Sequence, residues 1–113
     1  MLIREGDKIR VLVAFEDNYR TYRQTIAACL QIRRPDVQVE TAELANLEKK
    51  LEDFAPQVVI CSGHRAMSSG DEIAWIALSL DLNMPARIKV GGCYKKIDNP
   101  TLEQILALID DLE

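Results

Sequence analysis

Histidine is nearly absent from this chain, at one in 113 residues, and the three cysteines stand far apart at positions 29, 61 and 93. With no CxxC spacing and no Cys/His pairing, neither a zinc site nor a disulfide framework is supported. No run approaches the ~20 consecutive apolar residues of a membrane span. The opening MLIREGDKIR also lacks the continuous apolar core of a signal peptide. Aromatic residues make up only 5% of the chain, and no linker, internal repeat or biased segment interrupts it. These absences lead us to expect a reduced, cytosolic protein with no membrane partner.

What is present is ordinary for a globular chain: 48% hydrophobic and 28% charged residues. A chain of this length folds as one domain, residues 1–113, and buries about two thirds of its unfolded surface without staples. A net charge of −4 and a pI near 5.0 argue against a phosphate backbone or an anionic membrane as the main partner. Arg20, Arg23, Arg33 and Arg34 are the candidate basic cluster, and we read them as the solvated face and end of one helix.

The stretch Pro56 to His64, PQVVICSGH, organises the rest. Its apolar run suits a strand buried on both faces, and a site in a parallel α/β sheet lies beyond the strands' carboxyl ends. That position holds Ser62, Gly63 and His64. Upstream, Ile9 to Phe15 is a strand ending in Glu16-Asp17-Asn18, and Asp17 or Asn18 can cap a helix with Tyr19, Tyr22, Ile26, Cys29 and Leu30 on one face. Val37 to Thr41 alternates as an edge strand, and Leu44, Leu47, Leu51 and Phe54 mark a second helix stopped before Pro56. The order strand, helix, strand, helix, strand predicts parallel βαβ units.

Downstream, His64 to Glu72 reads as a polar crossover. Ala74 to Asp81 fits either a strand or a helix by periodicity, and the turn-like Asp81 to Pro85 before the alternating Ala86 to Val90 favours a strand in a hairpin. Cys93 to Ile97 extends it. The last helix has Asn99 as N-cap, Pro100 at its first position, and a stripe of Leu102, Ile105, Leu106, Ile109 and Leu112. We expect a three-layer α/β/α fold with a parallel core of order 2-1-3, continued by a C-terminal hairpin, and the final helix packed on the sheet.

With the acidic Glu16-Asp17 after the first strand and PQVVICSG at the third, the chain resembles the receiver domain of bacterial response regulators, over roughly residues 9 to 63. In that flavodoxin-like family an acidic pair and an aspartate ending the third strand hold magnesium, and the aspartate is phosphorylated. The resemblance places Glu16 and Asp17 at the pair and Ser62 at the phosphorylated position, with Lys96 or Lys95 as the family's lysine. It implies a degenerate, non-enzymatic pseudo-receiver of two-component signalling: no resident cofactor, at most weak magnesium at Glu16 and Asp17, and an unidentified protein partner. Two adjacent carboxylates suit magnesium, but losing a third weakens the site. A serine ester would need a dedicated kinase.

Three alternatives stand beside this one. Glu16 and Asp17 can simply cap a helix and complement its dipole. A small-ligand or metal-sensing domain can use Glu16, Asp17 and the Ser62-Gly63 backbone. A small enzyme or redox sensor can use Cys61, Ser62, Gly63 and His64, although a phosphatase-like C-x5-R loop needs arginine at Met67, and Arg65 comes two positions early. A homodimer through the hairpin's open edge is the further possibility.

Overall fold

The Arg10–Phe15 run forms β1, because its unbroken β-branched and apolar side chains are buried on both sides of a sheet. The computed structural model describes residues 9–62, 73–78, 85–90, 93–98 and 101–111. Within them follow α1 (Arg20–Arg33), β2 (Gln38–Glu43), α2 (Leu47–Phe54), β3 (Val58–Ser62), β4 (Ala74–Leu78), β5 (Ala86–Val90), β6 (Cys93–Ile97) and α3 (Leu102–Asp110). The six strands lie in the order β2-β1-β3-β4-β5-β6. β2, β1, β3 and β4 are mutually parallel, and β5 and β6 run antiparallel to their neighbours. The sheet is therefore mixed, with a parallel 2-1-3 core and an antiparallel end, and the ambiguous segment after residue 73 is a strand.

Alternation along the strands separates two hydrophobic clusters. Val11, Val13, Phe15, Val58 and Ile60 face Ile26 and Leu30 of α1 and Ile105, Leu106 and Ile109 of α3. Leu12, Ala14, Val59, Cys61, Trp75 and Ala77 face Leu47 and Phe54 of α2. Helices thus cover both faces, and the final helix packs on the sheet as its apolar stripe requires. Among the described residues no helix is long and apolar enough to cross a membrane.

Helix boundaries differ from the sequence expectation in instructive ways. Asp17–Tyr19 forms a 3-10 turn, and α1 begins after Tyr19 with no side-chain cap, so neither Asp17 nor Asn18 caps it. Tyr19 and Tyr22 are 40% and 46% exposed, although Tyr22 keeps an edge contact with Phe15, ring centres 5.4 Å apart. Thr101, rather than Asn99, caps α3. Its hydroxyl accepts from the Gln104 N–H (3.2 Å), while the Gln104 side chain accepts from the Thr101 N–H (2.8 Å). This reciprocal pair satisfies two orphan donors, which one asparagine cannot. Asn99 and Pro100 lie outside the described residues. α2 ends at Ala55, whose φ of 49° is left-handed and whose successor, Pro56, cannot continue a helix.

The first and last helices are also linked by charge. Arg33 pairs with Glu103 at 2.6 Å, and Arg34 forks onto both carboxylate oxygens of Asp110. The Arg34 hydrogen bonds hold the Asp110 carboxyl below its ordinary value of 3.8. Any stability this pair adds is therefore complete above that value and is lost as the pH falls through the lower folded one.

Candidate functional site

The carboxyl edge of the parallel strands gathers three of the residues singled out by sequence. Ala14 pairs with Cys61 across β1 and β3, so the next positions, Phe15 and Ser62, end the two strands side by side. Glu16 leaves β1 in extended backbone, and the Tyr19 N–H donates to its carbonyl at 2.9 Å. Both Glu16 and Asp17 are exposed, and the Asp17 carboxylate lies 3.5 Å from Arg20. The acidic pair thus faces solvent, with one member beside a guanidinium.

Ser62 is different. It is only 5% exposed, it is level with Leu78 on β4, and its hydroxyl has no hydrogen-bond partner among the described residues. The strand alternation puts its side chain on the same face as Val58 and Ile60, beneath α1, with Phe15 and Leu78 on either side. An apolar neighbourhood of this kind disfavours a charged group there.

Lys96 is not brought to this edge. It lies on β6, opposite Arg87, which is in turn opposite Ala77. The intervening β4 and β5 put it roughly 14 Å from β3, at about 4.8 Å per strand. The register also puts it on the face of Cys61 and Ala77, opposite to that of Ser62. The inserted antiparallel strand is the cause. Lys95 points to the other face and is equally remote, beside Cys93, Ile88 and Val90. Gly63 and His64 lie outside the described residues, as do Gly91 and Gly92. Among the described residues no three His, Cys, Asp or Glu side chains are placed to share a metal ion.

Cys61 is fully enclosed between Ala14 and Ala77, and burial pushes its thiol up to about 12. A buried thiol held in its protonated form is a poor nucleophile at neutral pH. A brief pulse of a thiol reagent on the native protein is expected to label the exposed Cys93 first, the half-buried Cys29 later and Cys61 only after unfolding. Peptide mapping by mass spectrometry reads the order, and early modification of Cys61 would contradict its burial.

The basic cluster suggested by sequence is taken apart by the fold. Arg20 pairs with Asp17, and Arg33 and Arg34 bind α3. Arg23 is not a solvated helix residue at all. It is 7% exposed, and its Nη1 donates to the carbonyls of Phe15 (3.0 Å) and Ala42 (3.3 Å), joining the ends of β1 and β2. One sequence signal was available: Arg23 lies at helical spacing with Ile26 and Leu30, on the buried face.

Trp75 is wholly buried, whereas Tyr94 is 66% exposed on β6. The sequence reading also passed over a second cationic group, Arg87, Lys89, Lys95 and Lys96, on the two antiparallel strands. Searches for related proteins returned no family model, no curated protein and no solved structure that matches this chain.

Proposed function

We propose that the chain is a receiver-like regulatory module that has given up aspartyl phosphorylation and acts through contact with another protein. The reading rests chiefly on Ser62, a buried hydroxyl with no partner among the described residues, at the strand end where a receiver-like site would need its third carboxylate. The 2-1-3 order of the parallel strands, helices on both sheet faces and the acidic Glu16-Asp17 step after β1 support the flavodoxin-like frame. Glu16 and Asp17 alone supply a weak, exposed site for a hard cation. The competing enzyme or redox reading needs a reactive Cys61, and the burial of that thiol counts against it.

The test is phosphorylation by a small donor. Incubation with acetyl phosphate and magnesium is expected to leave the intact mass unchanged. A mass increase of one phosphoryl group that hydroxylamine removes would identify an acyl phosphate and end this reading.

A further inference from the structure

The antiparallel end of the sheet concentrates positive charge in a way the fold alone does not call for. Residues 85–97 contain Arg87, Lys89, Lys95 and Lys96 and no acidic residue, in a chain whose net charge is −4. Arg87 and Lys96 are paired directly across β5 and β6 on one face, an arrangement that like charges destabilise. Next to them Lys89 is buried and sits 5.6 Å from the centre of the Tyr94 ring, so the same face holds three cations and an exposed aromatic. Arg87, Tyr94, Lys95 and Lys96 line an open concavity of about 520 Å³. Among the described residues, Arg87, Lys95 and Lys96 have no carboxylate partner.

This charge sits beside an open backbone. Among the described residues β6 ends the strand order, so its outer N–H and C=O groups face away from β5 and form a template for one more strand. Edge lysines by themselves are a common guard against unwanted pairing. That explains Lys95 and Lys96 but not Arg87, which lies one strand inside the edge. A second copy is a poor occupant, because registers centred on Lys95 or Lys96 set that lysine against itself, and any antiparallel register that pairs most of the strand brings the lysines of two β6 strands together. A nucleic acid offers no peptide groups to continue the ladder, and the acidic remainder of the chain repels its backbone.

We propose that β6 is a docking edge for an extended acidic segment of a partner protein, which adds as a strand and sets one carboxylate in line with the Lys96–Arg87 pair, with further carboxylates at alternate residues on the same face. Backbone hydrogen bonds supply affinity, and the cations supply selectivity and register. This deepens the interaction-module reading by naming its partner's chemistry. It is independent of whether Ser62 or any other group accepts phosphate, so acyl phosphate formation would remove that reading and leave this one standing.

The experiment uses the full, isotope-labelled chain and a blocked peptide with glutamate at alternate positions and valine and threonine between. Saturable amide shifts centred on Cys93–Ile97, weakened by salt, are expected. Lys96→Glu is expected to lower affinity about tenfold or more while raising the melting temperature, since it removes the repulsion with Arg87. Lys96→Gln should fall between. A purely structural role for Lys96 would couple the two readouts in the same direction. Absence of saturable binding, equal binding of a backbone N-methylated peptide, tighter binding of an oligothymidine strand, or self-association through β6 would each overturn the proposal.

Discussion

Ser62→Asp is expected to destabilise the protein by about 4 kcal/mol at pH 7, with most of the loss recovered near pH 4. The figure is that of holding a carboxyl neutral, about 3 pH units above its unfolded value, at 1.36 kcal/mol per unit. The sign follows from the site. Ser62 is 5% exposed between Phe15 and Leu78, so desolvation raises the folded value of an aspartate above its unfolded one. Such a group destabilises above the unfolded value, and the penalty disappears as the pH falls below it. Ser62→Asn, similar in size and uncharged, separates charge from crowding, because its cost should not vary with pH. Chemical denaturation of the three proteins between pH 4 and 7 measures the difference. Millimolar magnesium is expected to restore little of the loss, since Asp17 is engaged by Arg20 and Ser62 faces α1. Full restoration would mean that the carboxylates converge after all, and that one substitution separates this chain from a working metal site.

The second large effect is expected at Arg23. Replacing it with methionine keeps the apolar stem but strands two carbonyl groups at the ends of β1 and β2, at a cost of roughly 2–4 kcal/mol, within the range for lost hydrogen bonds to a charged donor. Arg23→Lys should cost about half as much, because the ammonium has donors for both acceptors, which a single guanidinium nitrogen serves here, but sits on a shorter stem and lacks the fixed planar geometry. Urea denaturation with an unchanged slope would assign the loss to the folded state. A cost below about 0.5 kcal/mol for the methionine variant, the scale of an ordinary surface substitution, would mean that the guanidinium's own desolvation cancels its hydrogen bonds.

These two residues show where sequence reasoning reaches and where it stops. The strand and helix order was legible because unbroken apolar runs and period-3.6 stripes are local and differ strongly, as in Val11 to Phe15 against Leu47 to Phe54. The edge position of Glu16, Asp17 and Ser62 was legible too, since in a parallel core each strand's carboxyl end lies on one side. Arg23 was not: its burial depends on carbonyls at Phe15 and Ala42, which only the assembled sheet brings within reach. Lys96 was assigned to the edge by its place near the end of the last strand, but register and strand count decide distance, and both are tertiary. The same holds for Arg87, nine residues away in sequence and directly opposite in space. At α3 two capping signals lie two residues apart, and Gln104 selects between them by reaching back to Thr101.

The sharing of one sheet face by α1 and α3 has a consequence for how the chain is made. A ribosome delivers residues in order, and the elements through β3 can begin to pair as soon as they emerge. The α2 side of that early sheet acquires its helix before β3 has left the tunnel. The other side waits: Ile105, Leu106 and Ile109, which complete the cluster around Val13 and Ile60, follow all six strands in the chain. Until they arrive, the nascent protein carries a half-covered apolar surface beside α1, and the Arg33 and Arg34 side chains lack their partners on α3. Closure of that face therefore waits on the synthesis of α3, and a chain stopped before residue 102 would leave that surface still open.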